Sequence, residues 1–169
     1  MILYHGSNVE ITQIHLNLCK PYKDFGKGFY TTKFEEQAEN MAKRTVKQFG
    51  GIPTVTKFNI DELEFENPII IKKIYLTPSD EWALFVINNR NSKFKDISNL
   101  NCNTDCKYDI VIGPVANDDI RLLFDLFEDN IITINELKSR LEYKELTNQI
   151  SFHSEKAVKL LKRENSYIL

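Results

Sequence analysis

Cysteine is scarce in this chain: Cys19, Cys102 and Cys106 are the only three in 169 residues. An odd, scattered set builds no disulfide framework. Cys102 and Cys106 stand too far apart for a C-x-x-C pair, and no second Cys/His pair completes a zinc site. Reduced thiols in a reducing compartment are expected. An excess of one charge is lacking too. Lys and Arg number 22 against 24 Asp and Glu, a formal net charge of −2. That excludes a global pull toward nucleic acid or membrane surfaces but leaves a local basic groove open. No apolar run approaches the ~20 residues a membrane-spanning helix needs. The opening Met1-Ile2-Leu3-Tyr4-His5 carries no basic region or long apolar stretch, so a cytoplasmic protein without a signal peptide is expected. No repeat, low-complexity tract or linker divides the chain, and residues 1–169 are expected to form a single domain.

What is present reads as mixed strands and helices. Ile2–His5 suits a buried strand ending at Gly6-Ser7. Residues 8–27 form a polar approach loop, and Gly28–Thr32 reads as a strand. Thr32 and Glu35 have the spacing of a capping box. The helix they open carries Ala38, Met41, Ala42, Val46 and Phe49 on one face and stops at Gly50-Gly51. Strands are expected at Thr54–Ile60 and Ile69–Leu76, then a helix from Thr77-Pro78 to Asn88-Asn89-Arg90 with Trp82, Phe85 and Val86 in the core. Residues 91–107, rich in Asn, read as a mobile surface loop. Tyr108–Gly113 is a β-branched strand running into a turn at Pro114–Asp118. Helices fit 119–128 and 133–143, the second with a capping-box spacing at Thr133 and Glu136. Gln149–His153 alternates like a half-buried strand. Ser154 can cap a last helix to about Arg163, and Tyr167–Leu169 can close with a strand. Without a regular βαβ rhythm, the class expected is α+β.

Two short motifs carry the chemistry. Leu3-Tyr4-His5-Gly6-Ser7 comes first, and Asp24-Phe25-Gly26-Lys27-Gly28-Phe29-Tyr30 follows. Gly26 and Gly28 alone could merely serve a loop entering a strand; the pairing with His5-Gly6, in this order, lifts them above that. Together they resemble the nicotinamide-binding motifs of the ADP-ribosyltransferase superfamily, above all the poly-ADP-ribose polymerases. The resemblance implies two mainly antiparallel packed sheets with flanking helices and an NAD cleft between them. It implies that Gly6 clamps the nicotinamide carboxamide through its backbone, that His5 bonds a ribose hydroxyl, and that Tyr30 stacks on the pyridinium ring. Ser7 completes the His-Gly-Ser form, and Gly28 lies on Tyr30's face of its strand. A glycine at position 6 also lets a planar ligand lie on the backbone.

The superfamily's third residue is usually a glutamate on a late strand. The best match here, Asn148-Gln149-Ile150-Ser151-Phe152-His153, puts Gln149 there. An amide keeps the hydrogen bond to a ribose hydroxyl and loses the charge beside a forming sugar cation. It cannot deprotonate an acceptor, so chain elongation is not expected, whereas mono-transfer or NAD hydrolysis is. A second aromatic, expected eleven residues past Tyr30, is Met41, and a small hydroxyl expected near Ala38 is missing. Asn117 and Asp118 are candidate replacement polar groups, although turn chemistry alone explains both equally. Arg90 is a candidate for the NAD pyrophosphate, which a planar bidentate donor suits. His153 reads equally as a supporting or an exposed residue.

The whole layout, including Asn89-Arg90, Asp109–Asp118 and Gln149–His153, is similar to a bacterial domain-of-unknown-function family, number 3990, within the ADP-ribosyltransferase clan. That implies a single-domain protein, in some cases encoded beside a small partner. The expectation is NAD-dependent mono-ADP-ribosyl transfer to a macromolecular acceptor, protein or nucleic acid, as the toxin of a pair with a small antitoxin protein. No metal is required. The alternative is a catalytically silent module that binds NAD or ADP-ribose and acts through a protein partner; a third, a structural interaction domain, predicts no NAD binding. Fold alone decides none of these.

Overall fold

The computed structural model describes residues 1–141 and 147–169, without the side chain of Asp118. The class is α+β, as expected. Strands β1 (Ile2–Ser7), β3 (Thr54–Asn59) and β7 (Lys162–Ile168) form an antiparallel sheet in the order β1-β3-β7. Strands β2 (Phe29–Thr31), β6 (Asn148–Phe152), β5 (Ile110–Pro114) and β4 (Lys72–Ile74) form the second, in the order β2-β6-β5-β4. Among the described residues, only the β4–β5 pair is parallel.

Side-chain alternation sorts the core into three fillings. Leu3 and Phe58 from the first sheet join Phe29, Ile110, Ile150 and Phe152 from the second, filling the space between the sheets. The other face of the first sheet, with Tyr4, Val55 and Tyr167, packs on Ala38 and Ala42 of helix α1 (Glu35–Phe49). The other face of the second sheet offers Val111 to Trp82, Phe85 and Val86 of α2 (Asp80–Arg90). Ile120 and Phe124 of α3 (Asp118–Glu128) and Leu137 and Leu141 of α4 (Ile134–Leu141) join the same cluster. Each large apolar side chain buried this fully contributes roughly 1.5–3 kcal/mol. The layers therefore run helix, sheet, sheet, helices, and the sheets meet along the β1 and β2 edges through one bridge, Tyr4–Thr32.

Several local expectations need correction. Thr32 does not cap α1, whose N-cap is Phe34 without a side-chain bond. Its hydroxyl instead accepts from Phe34 N at 3.1 Å and donates to Gln37 Oε1 at 2.9 Å, a tight turn in place of the box. Ala38 and Ala42 alone form the buried stripe of α1, and Met41 and Phe49 are exposed. Helix and strand approach so closely that only small side chains fit between them. The 69–76 run shrinks to Lys72–Ile74, because an Asn67 turn holds its start and β4 lies at a sheet edge, leaving Ile69, Ile71, Ile74 and Leu76 exposed. Pro78 lies outside α2, which Ser79 caps by accepting from Trp82 N. The helix after Ser154 lasts only Glu155–Val158 (α5), and the chain from Lys162 extends as β7, because the free edge of β3 takes it up. By contrast, the Thr133–Glu136 box forms as expected: Thr133 N donates to Glu136 Oε2 at 2.7 Å and Glu136 N to Thr133 Oγ1 at 3.2 Å. The end of that helix, expected to reach 143, lies outside the described residues. No helix among the described residues is long and apolar enough to cross a membrane.

Candidate functional site

The two motifs meet where the sheets part. Tyr4 and Thr32 exchange both backbone bonds, Tyr4 N to Thr32 O at 2.8 Å and Thr32 N to Tyr4 O at 3.0 Å. Continuing that register would set Gly6 opposite Tyr30, but the ladder stops after the one bridge. His5 spans the opening instead, its Nδ1 lying 2.7 Å from the Tyr30 carbonyl. A carbonyl only accepts, so Nδ1 carries the proton and Nε2 is left as an acceptor. Ring stacking on Phe29, at 4.3 Å between centroids, holds the imidazole. Burial lowers its pKa, outweighing the backbone bond to Tyr30, so the neutral ring is favoured.

Gly6 lies one residue further along this edge. Backbone groups alternate sides along a strand, so its N–H and C=O point as Tyr4's do, away from β3 and toward Tyr30. Among the described residues, the ladder gives Gly6 no strand partner on this side, although Gly6 is buried. The structure gives its lack of a side chain a packing cause. A Cβ here would collide with the Ala38 carbonyl and lie 2.8 Å from Ala42 N, so the glycine serves the approach of α1. Ser7 ends β1 on the same face as His5, opposite Thr54.

The turn Asp24-Phe25-Gly26 organises the rest. Gly26 needs its φ of +89°. The Tyr30 hydroxyl donates to Gly26 O at 2.7 Å and accepts from Phe25 N at 3.0 Å, which locks the ring. Burial, then the nearby Asp24 charge, pushes the phenol pKa well up, so it stays a donor. Asn103 supports the turn through Nδ2 to Phe25 O at 3.4 Å, and its own N–H bonds Asn89 Oδ1 at 2.8 Å. Cys102 and Asn103 are fully buried, so the expected surface loop across 91–107, largely exposed elsewhere, is anchored near its end.

The Asp24 carboxylate, to which the sequence motifs give no role, is the densest node here. Oδ1 accepts from Arg90 Nε at 3.0 Å and Nη2 at 2.7 Å. Oδ2 accepts from Ala116 N at 3.1 Å and Gln149 Nε2 at 2.8 Å. Asp24 is 8% exposed and Gln149 9%. The only hint in the sequence was adjacency: an acid immediately before the Gly-rich turn must either face solvent or find partners.

The remaining candidates are placed as follows. Arg90 is not free to present a fork to a pyrophosphate, since Asp24 and the Ala116 carbonyl hold it. Asn117 is the N-cap of α3, accepting from Ile120 N at 3.1 Å, so turn chemistry accounts for it. Asp118 begins α3, and its side chain lies outside the described residues. Gly28 is required by His153: a Cβ there would come within 2.5 Å of the imidazole Nδ1. His153 is buried, donating from Nδ1 to Lys27 O and accepting at Nε2 from Ser151 Oγ, both at 2.8 Å. Burial lowers its pKa to about 4, so it supports the Gly-rich strand as a neutral ring. Met41 is exposed on α1, and the rings beside Tyr30 are those of Phe25, near-parallel at 6.3 Å, and His153, edge-on at 6.1 Å. Two surface hollows, one beside Met1 and Lys162 and one between Asn8 and Tyr167, include neither His5, Tyr30 nor Gln149.

No curated protein and no solved structure matches this chain. A family model does, over residues 1–163, and the chain therefore belongs to the family described as "Protein of unknown function (DUF3990)".

Proposed function

We propose that this protein is an ADP-ribosyltransferase-like enzyme that cleaves NAD at its nicotinamide–ribose bond and transfers ADP-ribose, once, to a macromolecular acceptor. The observation that carries this is the N–H and C=O of buried Gly6, facing Tyr30 without a strand partner where the β1–β2 ladder stops. A primary carboxamide offers one acceptor and two donors. It satisfies such a pair as a neighbouring strand does, and nicotinamide carries that group on a flat ring. His5 Nε2 can accept a ribose hydroxyl, and Tyr30, locked by its own hydroxyl, offers a ring to a cationic pyridinium. When the C1′–N bond breaks, its electron pair leaves with nicotinamide. The cationic sugar takes the acceptor's lone pair, and the acceptor's proton passes to water. NAD brings its own leaving group, so the residues contribute orientation and electrostatics. The two-sheet architecture with one bridging pair accords with the ADP-ribosyltransferase resemblance.

A second reading is favoured by Gln149: a module that binds NAD or ADP-ribose without turnover and works through a protein partner, such as a small antitoxin. The experiment that separates them incubates the pure protein with NAD labelled in the adenylate part, with and without cell lysate. Released nicotinamide and labelled macromolecule support the enzyme. Saturable binding of NAD without either supports the module, and no binding at all rejects both.

A further inference from the structure

The geometry points to Asp24 as a positioning residue that orients and polarises Gln149, so that the Asp24–Gln149 pair supplies the negative edge that a lone glutamate would. This rests on the transferase reading above.

The amide orientation is fixed by its neighbours. Gln149 Nε2 lies 2.8 Å from Asp24 Oδ2 and 3.5 Å from the Pro114 carbonyl, and both are acceptors. The nitrogen must therefore be the end that faces them, and Oε1 is the end left to accept. Donating an N–H to a carboxylate draws electron density toward the amide oxygen, and in a buried site that polarisation is weakly screened. A ribose hydroxyl bonded to Oε1 would meet an acceptor stronger than a free amide, with a full negative charge one side chain behind it.

Asp24 is held for such a role from three sides. Arg90 takes Oδ1 with two donors, and Ala116 N shares Oδ2 with Gln149. Arg90 is itself anchored on the Ala116 carbonyl at 3.1 Å. The same turn grips the Tyr30 hydroxyl through Phe25 and Gly26, so a single three-residue turn sets both the ring and the amide. Thr32, the bridge residue, lies across from Gln149 when the β2–β6 register is extended, which brings the pair to the same end of β2 as the parting of the sheets.

The test uses nicotinamide release from NAD and binding of benzamide, a carboxamide mimic, by the full chain. Asp24→Asn is expected to lower kcat about 10–100-fold, the range seen when a partner behind a reacting residue is removed, with KM and benzamide binding little changed. The exchange D24N/Q149E restores one carboxylate and one amide to the pair and is expected to recover most of the lost kcat. A folded Asp24→Asn variant with unchanged kcat overturns the role of Asp24, as does an exchange variant that binds benzamide but stays at the single variant's kcat. If Asp24→Asn does not fold, the exchange variant and the unaltered protein carry the test. In the unaltered protein, the Gln149 side-chain amide should show one strongly protected proton by NMR. Two protons exchanging as freely as those of a surface glutamine overturn the proposal. An unaltered protein that neither binds benzamide nor releases nicotinamide rejects the transferase reading and the proposal with it.

Discussion

At the scale of single residues, the site divides into groups that can meet a ligand and groups that hold them. His5 and Tyr30 were legible because their letters sit in two recognisable motifs, and Gln149 because of its place in a late strand. Asp24 was not, since a loop acid carries no mark of burial until the chain folds its partners, Arg90 and Gln149, around it. Nor could the sequence say that Arg90 would be consumed by that partnership. Tyr30 shows how the two duties combine. Tyr30→Phe keeps the ring but leaves the Phe25 N–H without its acceptor. We expect it to cost about 1–3 kcal/mol in urea denaturation, the penalty of one unpaired buried group. Tyr30→Ala should in addition weaken benzamide binding and nicotinamide release. Undiminished turnover in that variant would remove Tyr30 from the site.

At the scale of elements, legibility followed how local the governing interaction is. The Thr133–Glu136 box closes within one helical turn and formed as its spacing predicts. Residues 162–168 obey a distant partner, the free edge of β3, so a stretch with helix-forming residues became a strand. The buried face of α1 is narrower than its periodicity predicts because a glycine on another element dictates it. Gly6 admits the backbone of α1 so closely that Ala38 and Ala42 suffice as its buried face. Gly6→Ala should therefore act first on packing. The added methyl forces α1 off β1, with a loss on the order of 1–3 kcal/mol in thermal unfolding. A variant as stable as the parent but unable to bind benzamide would show instead that the position serves the ligand alone.

At the scale of the whole molecule, one buried histidine predicts a sensitivity to acid. His153 is held neutral with its pKa lowered to about 4 from an unfolded value of 6.5. Below pH 6.5 the unfolded chain takes up a proton that the folded chain refuses. The stability this group contributes is therefore complete above that pH and is expected to be lost as pH falls toward 4, by an amount on the order of 3 kcal/mol for a shift of this size. Denaturation midpoints measured across that window should fall with pH, and less so in His153→Gln. An unchanged slope in the variant would assign the acid sensitivity elsewhere. The Asp24–Gln149 contact spans 125 positions of sequence, and β2 has β6 as its neighbour within its sheet. On the ribosome, chains grow from the N-terminus at roughly 5–20 residues per second. The first two motifs thus emerge many seconds before the strand that completes them, and a nascent or prematurely terminated polypeptide holds the early half of the candidate site without the late half.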